Sequence, residues 1–343
     1  MKKQMAILTA AVLTVCSTVG CSQQEASADL TPVRLNEVVH SVFYAPQYVA
    51  QELGFFEEEG LDVTVSVGNG ADKSMTALLS DSADIALLGT EAGLYVYNEG
   101  KEAYPKAFAQ LTQKAGNFLV SRTPSPDFQW TDLEGSDVIG GRLGGMPELV
   151  LEYVLRQNGM EPFTDVEIVN NIDFTSTAGA FTGGIGDYTV EFEPTATALQ
   201  NSGAGYIVAS LGAACGEIPY TVYMANDAYM QENPEVIEAF TRAIYRGQQW
   251  VDTHTAAEIA EVILPQFPDS DLETLTSILE RYQAQDTWKT DPTFSKESYE
   301  RLQDIMEQGG ELESRVPFEN FVDNFIAEKV TAVSYTHLPS PRD

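Results

Sequence analysis

Cysteine and histidine are nearly missing from this 343-residue chain, with three of each. Cys16 and Cys21 fall in the first 21 residues, so Cys215 stands alone in the remainder, with no partner for a disulfide. A thiol nucleophile needs a base, and His40, His254 and His337 bear no recognisable relation to the Ala214-Cys215-Gly216-Glu217 stretch. A small buried side chain is the better reading of Cys215. No metal motif emerges, and Glu57-Glu58-Glu59 before Gly60 reads as a solvated face, not as converging ligands. Basic residues are also scarce: 19 Lys and Arg stand against 51 Asp and Glu, for a formal charge of −32. Phosphate binding needs the opposite sign, which argues against nucleic acid as a partner; such acidity mainly keeps a protein soluble.

The two ends differ from the rest. Residues 1–20, MKKQMAILTAAVLTVCSTVG, place two lysines before an apolar run and then small residues. This is the pattern of an export signal, too short and too polar at its end to span a membrane. Thr18-Val19-Gly20-Cys21 looks like a bacterial lipoprotein cleavage site, with Cys21 the lipidated residue, although Thr18 stands where Leu is usual. Residues 21–31 then read as a flexible tether. The expected location is extracytoplasmic, anchored to the membrane by lipid. At the far end residues 333–343 break the acidic, helical character before them and resemble translated adaptor sequence; they are set aside as a non-native tail, with His337.

The length exceeds what one compact core usually serves, which predicts two lobes. The most informative stretch runs from Val42 to Glu91. Its periodicity predicts a helix closed by Gly54, a strand over Leu61 to Ser66, a glycine turn, a second helix, an apolar strand over Ile85 to Leu88 and a third helix. In open α/β sheets ligands sit outside the carboxyl ends of the strands, where helix N-termini present free N–H groups. The turns holding Asn69, and Gly89-Thr90, fall at such ends, and a first strand over Val33 to Val38 delivers Phe43 and Tyr44 to another. Either ring could stack on a flat ligand. Glu91, at a helix start, is a cap or an acceptor for a ligand amine. Trp250 and Trp288 are expected in the core.

The run YAPQYVAQELGFFEEEGLDVTV, followed by ADIALLG, resembles the solute-binding proteins of bacterial ABC importers in the SsuA/THI5-like (NMT1) family. The resemblance implies an α/β, two-lobed periplasmic-binding-protein-like (type II) fold with a central cleft and two hinge crossings. Residues 32–116 would begin lobe 1, 117–217 form lobe 2, and 218–330 return to lobe 1 and add C-terminal helices. The glycine-rich loop Gly141 to Glu148 resembles the family's second ligand loop and places Arg142, Gly144, Gly145 and Met146 in the site. A turn-rich stretch from Ala178 to Asp187 leads to Glu191 and Glu193; one of the two should see the cleft, and Glu193, next to a helix start, is preferred. The implied function is a monomeric receptor, without catalysis, cofactor or metal, that closes on a small molecule and hands it to an ABC permease and ATPase. A nitrogen heterocycle, such as a thiamine-precursor pyrimidine or riboflavin, is the expected ligand. An alkanesulfonate, taurine or nitrate-type anion is the alternative, and a sensor would use the same receptor with another partner. A thiamine-pyrimidine synthase-like enzyme is a different class, against which stand the export signal and the missing CCCFC-type run.

Overall fold

The structure, a computed structural model, describes residues 30–100 and 104–335. The export signal, Cys21 and nearly all of the tether lie outside the described residues. The tail lies outside them beyond Tyr335, and its first three residues end the Asn324–Tyr335 helix. Among the described residues no helix is long and apolar enough to cross a membrane.

Among the described residues ten strands build two sheets of five: β1 (Thr31–Glu37), β2 (Leu61–Val67), β3 (Ile85–Gly89), β4 (Pro105–Gln110), β5 (Asn117–Ser121), β6 (Asp137–Ile139), β7 (Glu167–Val169), β8 (Tyr188–Phe192), β9 (Tyr206–Ser210) and β10 (Thr221–Asn226). The first sheet has the order β2-β1-β3-β10-β4 and the second β7-β6-β8-β5-β9. Strand β1 starts at Thr31, which pairs with Leu61, so the last tether residue already belongs to the sheet. In the first sheet β1 runs parallel to β2 and β3, and the returning β10 runs antiparallel to β3 and β4. In the second, β5 is antiparallel to β8 and β9 while β6 is parallel to β7 and β8. The chain therefore crosses between sheets twice, after Gln110 and before Thr221.

Local chemistry explains the elements nearest the crossings. Strand β3, IALLG, is buried throughout and is apolar on both faces, as a parallel strand covered by helices must be. Pro46 sits in the first turn of the Ala45–Glu52 helix, where its missing N–H costs no hydrogen bond. Gly54 then takes φ 71°, which turns the chain out of that helix. The Pro234–Thr253 helix packs on this one so closely that a Cβ on Gly247 would come within 2.2 Å of the Pro46 carbonyl oxygen.

Three differences from the sequence reading stand out. The predicted turn from Ala178 onward begins as a helix, Thr177–Thr182: Phe181 is fully buried with Arg122 over its ring at 4.3 Å, and this packing overrides the weak propensity of its glycine. Strands β7 and β9, at the two edges of the second sheet, were not among the predicted elements. The acidic run is not simply solvated, because Glu58 and Glu59 pair with Arg246 and Arg242.

The C-terminal helices do more than cover the first sheet. From the Leu272–Ala284 helix, Tyr282 Oη donates to the Gly116 carbonyl (2.8 Å), and just past it Gln285 Nε2 donates to that of Ala115 (3.1 Å). The Gln113 N–H donates to the Thr287 carbonyl (2.9 Å), and the buried Trp288 donates its ring N–H to Phe43 O (2.8 Å). The first crossing is thus laced to the segment that follows this helix. Trp250 stacks on His254, 3.7 Å between centroids, away from the cleft.

Candidate functional site

Between the two sheets lies a cavity of about 430 Å³. Tyr44, Phe174, Phe192 and Tyr220 give it an aromatic floor, and Phe192 and Tyr220 are 6.3 Å apart. One wall is the start of the Thr90–Asn98 helix, which contributes Glu91 and Tyr95; the other is the loop from Arg142 to Pro147.

Glu91 is the unusual group. Its side chain is 3% exposed, and Oε2 has no hydrogen-bond partner among the described residues. Burial pushes its carboxyl up to about 7, against the opposing pull of the N–H groups of Glu91, Met146 and Ala92. The Met146 amide belongs to the far lobe, at the start of the Met146–Gln157 helix. Tyr220 Oη, also buried in the lining, is likewise without a partner there, and burial raises that phenol well above its ordinary value.

Side-chain ties also cross the cleft. Tyr95 Oη donates to the Gly144 carbonyl (2.6 Å), and the Arg142 guanidinium meets Asp72 (2.8 Å) with both side chains about half exposed. The Gly144 N–H donates in turn to Glu148 Oε2 (3.0 Å). The anion-binding amides at this helix start are therefore already served by two carboxylates of the protein itself. Glu148 is buried, and its carboxyl is pushed up to about 8, first by burial and then by neighbouring Glu152.

Tyr44, Gly89, Glu91, Arg142, Gly144, Gly145 and Met146 are brought together in the lining. Four residues expected there are not. Phe43 is fully buried one layer behind the floor, among Tyr44, Phe192, Tyr220 and Tyr282, because the 3-10 turn Val42–Tyr44 sends neighbouring side chains to different sides. Asn69 is an exposed turn residue with φ 57°, and the adjacent Gly70 reaches the cavity instead. Thr90 is buried and donates to the Pro219 carbonyl at 2.5 Å, fastening its helix to the second crossing.

Glu193 is the clearest correction. Side chains alternate along a strand, so Glu191 and Glu193 share one side of β8 and Phe192 takes the cleft side. Glu191 bonds to Thr177 and Thr189. Glu193 pairs with Arg281 and accepts from the Thr197 N–H (2.9 Å) and hydroxyl (3.0 Å). It holds structure together and does not face a ligand. The same alternation, applied to Phe192, was the signal that could have found the floor; Tyr95 was visible four residues after Glu91, on the same helix face.

Cys215 is buried, and burial pushes its thiol up to about 12, the opposite of an activated thiolate. Among the described residues no three His, Cys, Asp or Glu side chains converge on a metal position.

The buried carboxyls make stability depend on pH in an uncommon direction. Glu91 and Glu191 are raised to about 7 and Glu148 to about 8, so between pH 4.5 and 8 the folded chain holds more protons than the unfolded one. Stability then falls as pH rises through this window, by on the order of 2 kcal/mol or more. Thermal unfolding without ligand should give a lower midpoint at pH 8 than at pH 5.5, and Glu148→Gln should flatten the slope. A midpoint that climbs toward pH 8 would contradict the assignment.

The family model described as NMT1/THI5 like matches residues 42–257. A protein of Bacillus subtilis named as a binding protein, YtlA, is 45% identical over 312 residues, which is 91% of this chain and 92% of that one. The chain belongs to the NMT1/THI5-like family. The 4-amino-5-hydroxymethyl-2-methylpyrimidine phosphate synthase of Aspergillus parasiticus is 26% identical over 64% of this chain and 66% of its own. Among solved structures, the alkanesulfonate-binding protein SsuA of Xanthomonas axonopodis, bound to MOPS, superposes with a TM-score of 0.68 at 15% identity, covering 86% of this chain and 99% of that one. That likeness shows the fold: this NMT1/THI5-like chain has the two-lobed architecture of the periplasmic binding proteins.

Proposed function

We propose that the protein is the extracytoplasmic receptor of an ABC importer, held to the membrane by lipid at Cys21, and that its ligand is a small nitrogen heterocycle with an amino group. A thiamine-precursor pyrimidine fits this description first and a riboflavin-like ring second. The reading rests on one observation above the others: Glu91 offers a buried, unpartnered carboxylate oxygen in a cavity with an aromatic floor. Ring burial supplies affinity, and an amine that meets Glu91 removes the cost of leaving that oxygen unsatisfied. The ligand touches both lobes and holds them closed, and the monomer then presents itself to a permease with its ATPase. The 45% identity to a protein named as a binding protein favours binding over catalysis.

An anion is the weaker candidate. Arg142 is the cation of the lining and is engaged by Asp72, while the loop amides face Glu91 and Glu148. A sulfonate would have to displace a carboxylate and then sit beside it. Thermal unfolding against 4-amino-5-hydroxymethyl-2-methylpyrimidine, thiamine, riboflavin, taurine and alkanesulfonates tests the choice. Ligand at about a hundred times its dissociation constant adds roughly 2.7 kcal/mol. A shift with taurine or sulfonates alone would keep the receptor and overturn the heterocycle.

A further inference from the structure

Tyr220 ends the second crossing, one residue before β10, and it lines the cavity. The residue is 2% exposed, yet its Oη has no hydrogen-bond partner among the described residues. A buried hydroxyl left idle is costly, so a lining position that keeps one calls for an explanation. Its ring packs edge-on against Phe43, 5.6 Å between centroids, and against Phe192 at 6.3 Å, so the phenol is held in place by aromatic neighbours. The backbone then ties it to the start of the helix that carries Glu91. Thr221 pairs with Gly89 in the antiparallel β10–β3 ladder, the Thr90 N–H donates to the Tyr220 carbonyl (3.4 Å), and the Thr90 hydroxyl donates to that of Pro219 (2.5 Å). The residue before Glu91 is thereby bonded to Tyr220 itself, and the Glu91 charge is felt at the phenol. Two buried groups without partners, Glu91 Oε2 and Tyr220 Oη, thus line one cavity from hydrogen-bonded segments.

We infer that Tyr220 is a specificity-determining residue whose hydroxyl donates to a ring nitrogen of the ligand, next to the amine that Glu91 accepts. This deepens the proposed function and rests on it. An ionised carboxylate only accepts hydrogen bonds, whereas a phenol has one O–H to give. Burial and the Glu91 charge both hold the phenol in its protonated form, so Tyr220 remains a donor where Glu91 has become a pure acceptor. The complementary ligand edge carries a donor and an acceptor in the matching order. An exocyclic amine on a carbon bonded to a ring nitrogen has that order. An amine alone would serve Glu91 and leave the phenol idle. A sulfonate or carboxylate oxygen would serve Tyr220 and set a second negative charge against Glu91. A site built to hydrogen-bond one group of its ligand rejects the analogue that lacks it far better than an apolar pocket rejects a missing methylene.

The test compares wild type with Tyr220→Phe, which keeps the ring and removes only the hydroxyl. Each is titrated by calorimetry with 4-amino-5-hydroxymethyl-2-methylpyrimidine and with a benzene ring bearing the same three substituents, which keeps the amine and has no ring nitrogen. Wild type should prefer the pyrimidine by at least about tenfold. The variant should lose roughly tenfold in affinity for the pyrimidine and no more than about twofold for the benzene analogue, so that the preference largely disappears. The ligand-free unfolding midpoint should stay level or rise, since the hydroxyl removed bonds to nothing in the protein. Equal losses for both rings, or a variant that keeps the full preference, overturn the inference and leave the heterocycle reading standing. So does wild type that binds the two rings alike, a result that needs no folded variant. Wild type that binds neither ring, whether or not it responds to taurine or sulfonates, overturns both.

Discussion

Replacing Glu91 with alanine is expected to cut ligand-induced stabilisation by an aminopyrimidine by about half or more. A hydrogen bond to a buried charged group contributes about 1.5–3 kcal/mol, so affinity should fall by roughly ten- to a hundredfold. At a fixed ligand concentration of about a hundred times the wild-type dissociation constant, the roughly 2.7 kcal/mol gained would then fall to about 1.4 kcal/mol after a tenfold loss and about 0.4 kcal/mol after a hundredfold loss. The carboxyl titrates at about 7, and an amine donor favours its ionised form, so in wild type affinity should rise with pH through neutrality. Titration calorimetry at pH 6 and pH 8 checks the sign, and Glu91→Gln should remove the pH dependence. A full thermal shift retained in Glu91→Ala would sink the site assignment.

The second large effect concerns stability alone. Glu193 is inaccessible to solvent and pairs with the quarter-exposed Arg281, which comes from a C-terminal helix while Glu193 directly follows strand β8 of the second sheet. Removing one partner of a buried pair strands the other, at a cost of 3–5 kcal/mol in well-enclosed cases. Because Arg281 keeps some solvent and Thr197 still donates to Glu193, about 3 kcal/mol is expected for Arg281→Ala. Urea denaturation would measure it, and the double variant Arg281→Met with Glu193→Gln should recover most of the loss. A cost under about 1 kcal/mol would mean the pair behaves like a surface bridge.

The sequence displayed its regular parts through period and punctuation. Apolar β3, Pro46 before one helix and Pro147 in another left clear marks, and the glycine turn before Glu91 pointed to the cleft. Direction within an element was harder. Phe43 and Tyr44 are adjacent, and no pattern along the chain says which ring the cavity keeps. Glu193 was misplaced because proximity to a helix start was weighed above the two-residue period of β8. Strands β7 and β9 were missed for different reasons: β7, of three residues, is too short to show a period, and β9, Tyr206–Ser210, is an apolar run without alternation that was passed over.

The lacing of the first crossing has a consequence for how such a molecule reports its state. Tyr282 and Gln285 hold the carbonyls of Gly116 and Ala115, and Ser41 Oγ reaches across to the Glu193 carbonyl at 2.5 Å. A wide swing of the lobes would break these bonds together, whereas a small shear would leave them in place. Closure on a ligand would then be a short slide about the laced crossing, and the rim where Arg142, Asp72 and exposed Leu143 meet would register it.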